Sequence, residues 1–511
     1  MVAAESEVEV LDLRLVPAAL TAWAVTAAGI LWYSVGSILT AVAAVVLTTV
    51  LAHWRAARVR TRTWPAVVAV ALVAGGFAVA VGLQVQQLRQ HPLVDRFGGS
   101  VTVLVSASES PRVLNGRRLM FRGVLHTVDG TAIPARVVVF APVTGFGELS
   151  AGRPARFRAT ISRPGRRDLT VATLSATGRP VLGEASAVQR AAQRVRASFA
   201  DAARAALPAD QAAMLPALVL GDTSVVSAQT TAQFRAAGLT HLTAVSGANV
   251  TIVCGVLLLT AGLVGPRVAV VLAALGLIAF VVVVQPSASV LRAAVMGGVT
   301  LFAVLTHRRR RALPALAASI VVLMISAPEL AVDVGFALSV CATAGIVVIA
   351  PVWSSRLRAR GWPRPLAAAV SVAVVAQLVT APLVAGISGT FSVVAVAANL
   401  AVAAVIPPIT VLGTAAAAMS VLWPAGAQLL IRFTGPELWW LLSAARWASE
   451  VPGSAVPTPS GPAGVVLVAI GGVALTVLWR RSWVRRGLAG VAVCLLAWTL
   501  AGQAVSTVGT P

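Results

Sequence analysis

The 511-residue chain contains no lysine, so all 40 of its basic residues are arginine, against only 17 acids. A Walker A loop needs its phosphate-contacting lysine, which excludes nucleotide hydrolysis by that route. Cysteine is equally scarce. Cys254, Cys341 and Cys494 fall one each in separate apolar runs, which makes neither a disulfide framework nor a thiolate metal site. The five histidines, at positions 53, 91, 126, 241 and 307, stand apart rather than at ligand spacing, so no metal and no other cofactor is expected. Charge as a whole is thin, at 11% of residues against 58% hydrophobic, where a soluble domain carries about a quarter charged residues. The first dozen residues hold Glu5, Glu7, Glu9 and Asp12 where a basic region would begin a cleavable signal peptide, which argues against one.

What is present is a succession of apolar runs of about 17–23 residues, the length that matches a bilayer's hydrocarbon core. The chain is therefore expected to be a polytopic α-helical membrane protein with about 11–13 transmembrane helices, carrying a small extracytoplasmic β-barrel. Two runs, near 15–33 and 34–53, precede a loop with Arg55, Arg58, Arg60 and Arg62. The positive-inside rule makes that loop and the N-terminus cytoplasmic. A third run near 64–83 then exits. Further runs follow near 241–263, 267–285, 288–306, 312–327, 331–350, 365–386, 391–407, 408–423, 463–479 and 487–505. Arginine clusters at 308–311, 356–364 and 480–486 separate them, and an even number of crossings lies between clusters if 425–460 stays outside as an interfacial segment.

The organisation reads as N-terminal transmembrane helices (1–88), the extracytoplasmic β domain (89–185), an amphipathic helical segment on the outer membrane surface (186–233), a transmembrane channel domain (234–423), and C-terminal interfacial and transmembrane helices (424–511). Five β-rich runs, starting at Val101, Arg117, Arg136, Ala155 and Val171, are separated by turns at Asn115-Gly116, Asp129-Gly130 and Pro164-Gly165. Five strands in so short a segment make the OB-fold the natural candidate. The segment 89–185 has 14 arginines and 6 acids, a net +8, which fits a polyanion or an anionic membrane surface. For nucleic acid the candidate contacts are Arg112, Arg117, Arg118, Arg122, Arg136, Arg156, Arg158, Arg166 and Arg167. Phe121, Phe140, Phe146 and Phe157 suit base stacking and a hydrophobic core equally.

The stretch 234–253, FRAAGLTHLTAVSGANVTIV, places unusual polarity in an apolar run. Such polarity suits a helix lining something wet, and its small residues equally suit close helix packing. The expected orientation puts His241, Ser246, Asn249, Arg292 and Asp333 within the first turns of inward-running helices, at about 1.5 Å per residue. An isolated charge in hydrocarbon costs at least about 2.5 kcal/mol. Arg292 and Asp333 are therefore expected to pair, or Arg292 to face a passage with Asp333 orienting it. Gln377 and Asn399 sit nearer mid-membrane, where interhelical hydrogen bonding is the default role; with the five residues above they are the candidate channel-lining residues. Pro407-Pro408 and Ala381-Pro382 interrupt helices.

LVLGDTS (218–224), FRAAGLTHLTAVSGANV (234–250), PSASVLRAAVMG (286–297), APELAVDVGFALSV (327–340), QLVTAPL (377–383) and AANLAVAAVIPP (397–408) follow one another in order. Together they resemble the competence domain of the ComEC family, with the preceding β domain a looser match to that family's OB-like domain. The resemblance implies an inner-membrane channel of a bacterium that carries DNA into the cytoplasm as a single strand; with no metal-ligand cluster and no Walker A loop in the sequence, no enzyme is expected. It implies as partners single-stranded DNA, the membrane, a cytoplasmic helicase or translocase, an extracytoplasmic DNA receptor and a separate nuclease, with oligomeric state left open. Two positions depart from the family pattern, Asn249 in place of a histidine and Ala337 in place of a glutamine. Many members also carry a metallo-β-lactamase-like domain, and no HxHxDH cluster occurs here. The alternative cargo for the same basic vestibule is another anionic envelope or lipid molecule.

Overall fold

Strands β1 (Ser100–Ala107), β2 (Arg112–Leu114), β3 (Arg118–Val128), β4 (Thr131–Pro142), β5 (Pro154–Ser162) and β6 (Ala172–Leu182) form one sheet that closes on itself. Their residues alternate between buried and exposed, as period-two side-chain placement requires. β1 pairs antiparallel with both β5 and β3, β5 with β6 and β3 with β4 antiparallel, and β4 with β6 parallel. The ring β1-β5-β6-β4-β3 is thus a five-stranded barrel, the small barrel expected from the sequence. Among the described residues the unanticipated β2 pairs only with β3. Gly123 is needed where β1 crosses β3, because a Cβ there would stand 2.6 Å from Val105 Cγ1 and 2.9 Å from the Ser106 carbonyl oxygen. Phe121, Phe146 and Phe157 are buried in the barrel core, with Phe146 edge-on to Phe157 at 5.2 Å. Burial of these three rings answers the stacking question in favour of the core.

In the computed structural model the described residues are 12–59, 64–109, 111–114, 118–147, 149–243, 247–261, 265–285, 287–305 and 312–478. Arg117, Ser246, the 308–311 arginine cluster and the expected crossing near 487–505 lie outside them. The chain divides into two units. The first comprises Met1–Ala202, Val245–Ala337 and Ala417–Ala427, and the second Ala203–Ala244, Leu338–Ala416 and Gln428–Pro511.

The first unit holds the barrel, helices Val16–Val59 and Trp64–Arg89, and a group of apolar helices at Gly247–Ala261, Pro266–Val284, Ala288–Leu305 and Ala312–Ser326. Val16–Val59 is not one straight rod. A Cβ on Gly36 would lie 2.6 Å from the carbonyl oxygen of Ala28, and one on Gly29 would lie 2.9 Å from Ser37 Cβ. Residues eight apart in a straight helix are separated by about 12 Å, so the run folds back into two tightly packed helices, the two runs read from the sequence. Glycine at both contact positions permits that approach. Helix Ala187–Ala206 buries Phe199 and Arg196, and Arg196 donates through Nη1 to the Val283 carbonyl at 3.1 Å, capping the end of Pro266–Val284.

In the second unit, helix Ala209–Leu220 is buried along most of its length, and Gly413 lies against Val219 and Leu215. This corrects the outer-surface position expected for that part of 186–233: its apolar residues surround the helix, so it belongs in an interior. Two short strands, β7 (Thr390–Ser392) and β8 (Ala455–Pro457), pair antiparallel.

Four stretches among the described residues are long and apolar enough to cross a membrane: Val67–Arg96, Arg267–Val284, Val334–Arg358 and Arg364–Ser388. Helices Ala395–Val402 and Ile406–Met419 meet that test only together, and they are bent by 55°. The sequence-based expectation of separate crossings near 391–407 and 408–423 does not hold, since helices of 8 and 14 residues reach only about 12 and 21 Å. Other expected crossings appear as shorter apolar helices, among them Ser289–Ala303 and Ala312–Ser326.

Candidate functional site

The barrel's exterior is where its arginines emerge, because inward positions of each strand are apolar. They divide by what they touch. Arg122 reaches Asp168 at 3.9 Å and Asp333 at 3.8 Å. Arg136, on the neighbouring strand, pairs with Glu329. Asp333 and Glu329 belong to the segment between helices Ala312–Ser326 and Val334–Val348, so two adjacent strands are fastened to one helix junction of the same unit. Arg167 adds a bond from Nη1 to the Leu31 carbonyl at 2.6 Å, and Trp23 donates to the Ala331 carbonyl at 2.9 Å while lying edge-on to Phe336. Arg112 pairs with Glu109 at 3.7 Å, and Arg118 lies over the Phe140 ring at 5.6 Å.

Arg156, Arg158 and Arg166 differ. All three are exposed, and among the described residues no carboxylate lies within ion-pair distance of them. Arg156 and Arg158 stand on the same face of β5, flanking the inward Phe157. They sit opposite Leu104 and Thr102 of β1.

Among the apolar helices of this unit, Arg292 is 5% exposed and Asn249 is 6% exposed. Arg292 donates through Nη1 to Met296 Sδ at 3.1 Å, one turn along its own helix. Its other terminal nitrogen lies against the first turn of the helix bearing Asn249: a Cβ on Gly247 would be 3.1 Å from Nη2. Glycine there admits the guanidinium. The amino end of that helix carries partial positive charge, so guanidinium and helix end together make an electropositive, donor-rich locus. Asp333 is not part of it. Its Oδ1 caps the backbone N–H of Phe336 at 2.9 Å and its Oδ2 faces Arg122, so the expected Arg292–Asp333 pair is replaced by a pair between Asp333 and the barrel. The signal for this was in the sequence, since a domain of net +8 needs counter-charges and Glu329 and Asp333 lie together at a helix end.

His241, Gln377 and Asn399 belong to the second unit. His241 is exposed in the short helical turn Thr240–Leu242. Gln377 donates to the Ser392 carbonyl at 3.4 Å, and Ser392 donates to the Ala236 carbonyl at 2.7 Å. Asn399 donates to the Ala395 carbonyl at 2.8 Å, one turn back on its own helix. Among the described residues no cluster of His, Cys, Asp or Glu is placed to hold a metal.

A family profile described as "Competence protein" matches residues 218–483, just over half of the chain. ComE operon protein 3 of Bacillus subtilis (strain 168) is 29% identical over 202 residues, covering 38% of this chain and 24% of that protein. The matched region therefore spans about a quarter of that relative's length. No solved structure matches. The matched profile takes in Asn249, Arg292, Asp333, Gln377 and Asn399, and with it the chain belongs to the ComEC-type family of competence proteins.

Proposed function

We propose that this membrane protein is a conduit for single-stranded DNA, passing it from outside into the cytoplasm, and not an enzyme. The observation that carries this reading is the buried Arg292 set against the first turn of the Asn249 helix inside the competence region. A passage for a polyanion must offer positive and donor groups without holding the strand too tightly to release it. One guanidinium beside one helix end meets that condition. The barrel serves as an extracytoplasmic OB-fold in this scheme, with Arg156, Arg158 and Arg166 as its phosphate contacts. Arg122 and Arg136 hold it to the helix junction. The energy for transport comes from a cytoplasmic helicase or translocase, or from the membrane potential. An extracytoplasmic receptor delivers the DNA, and a separate nuclease removes the other strand.

The test is uptake of labelled DNA by cells deleted for the chain and complemented with wild type or with Arg292→Gln. Wild type should restore uptake and Arg292→Gln should not, at equal amounts of folded protein in the membrane. Indifference of uptake to deletion would move the cargo to another anionic envelope or lipid molecule.

A further inference from the structure

Helix Arg364–Ser388 is long and apolar enough to cross the bilayer, and a crossing there puts Thr390–Ser392, which follows it directly, at a membrane face. The antiparallel pairing of β7 with β8 brings residues 455–457 to that same face. Helix Pro462–Leu478 then starts back beside Arg364–Ser388, with the Gly461 N–H bonded to the Gly386 carbonyl at 2.7 Å. The chain between β7 and β8 must therefore cross the bilayer an even number of times. Helices Pro424–Phe433 and Gly435–Glu450 carry Arg432, Glu437, Arg446 and Glu450, and neither qualifies as a span. The bent pair Ala395–Val402 and Ile406–Met419 is then no single crossing. It enters and leaves by the same face.

The bend has a chemical cause with a consequence. The carbonyls of Ala403 and Ala404 would receive helix bonds from residues 407 and 408, and both are proline, which has no N–H. Val405 turns its N–H to the Val402 carbonyl at 3.1 Å, leaving the Ala401 carbonyl to the indole N–H of Trp440, which reaches it at 2.8 Å. Among the described residues no donor reaches the carbonyls of Ala403 or Ala404, and both residues are exposed. In hydrocarbon each such carbonyl costs several kcal/mol, and non-helical backbone at membrane depth persists only inside protein or along a water-filled cavity.

We propose that 395–419 is a re-entrant loop whose tip, at the carbonyls of Ala403 and Ala404, forms part of the wall of a water-filled passage within the bilayer. The inference rests on the conduit reading above and adds its wall. The tip offers acceptors, so it faces water and the N–H groups of bases rather than phosphates. Trp440 fixes the tip by holding the third freed carbonyl.

The test places Ala403→Cys or Ala404→Cys in the full chain with Cys254, Cys341 and Cys494 replaced by alanine. Membrane vesicles are exposed on both faces to a membrane-impermeant cationic methanethiosulfonate. Ile470→Cys, on the exposed side of helix Pro462–Leu478, is the lipid-facing reference. One unit of upward shift in a thiol's pKa lowers its thiolate fraction about tenfold, so cysteines at the tip should react at least about tenfold faster than Ile470→Cys. Equal rates would overturn the proposal. Adding Pro407→Ala and Pro408→Ala returns both N–H donors and should slow labelling of the tip; unchanged labelling would also count against it. DNA uptake by whole cells carrying the same variants and treated with the same reagent separates the two readings. Fast labelling with undiminished DNA uptake upholds the wall and overturns DNA as the cargo. Slow labelling with uptake still dependent on Arg292 upholds the conduit and overturns this wall.

Discussion

Arg156, Arg158 and Arg166 are the arginines on which the DNA reading of the barrel depends, because most of its other candidate contacts are already engaged with protein groups. Replacing all three with glutamine removes three prospective phosphate contacts without burying or exposing apolar surface. For single strands each phosphate contact contributes about 0.7 to the slope of log K against log salt, so the triple variant should lose about 2 from that slope. Across a fourfold rise in salt, wild type should then lose about twentyfold more affinity than the variant does. The assay is fluorescence anisotropy of a labelled single-stranded oligonucleotide with the detergent-solubilised full chain, titrated at several salt concentrations. Arg136→Gln is the matched control, since Arg136 already pairs with Glu329; its slope should stay that of wild type. A triple variant with an unchanged slope would refute the reasoning, and an equal fall in the control would show that exposure and pairing do not decide which arginines meet the strand.

Other consequences of the geometry are open to direct measurement. A double-mutant cycle on Arg122→Gln and Asp333→Asn should give a coupling of about 0.2–1 kcal/mol in thermal unfolding, the range for partly exposed pairs; strict additivity would mean the barrel is not fastened there. Phe157→Ala should cost about 3–5 kcal/mol of barrel stability, as truncation of a buried ring does, and a variant as resistant to denaturant as wild type would contradict the core assignment. Gly36→Leu should prevent the first two helices from closing on each other, read as loss of the monodisperse peak in size-exclusion chromatography. An unaltered profile would show that the chain does not fold back between Trp32 and Val35.

By itself the sequence determined the class and much of the layout. Sparse charge and repeated apolar runs require a bilayer, and β-rich runs punctuated by turn residues marked the five barrel strands to within about five positions. The ordered motifs from Leu218 to Pro408 carried the family. What it left open were the partners of individual polar groups. Arg292 and Asp333 looked like a pair because both are costly in hydrocarbon, and only folding showed that Asp333 turns to Arg122 of the barrel while Arg292 lies against Gly247. Nor does local pattern distinguish the nine arginines proposed for DNA from one another. Ion pairs to Asp168, Asp333 and Glu329 join residues far apart in the chain, and long-range contacts of that kind leave no periodicity to read. The prolines at 407 and 408 announced a break, but the re-entrant turn proposed there rests on the β7–β8 ladder, which joins segments some sixty residues apart. Composition sets the solvent in which a chain folds, and local pattern sets its elements. Which charges find each other, and where freed carbonyls face, depends on how distant elements come together.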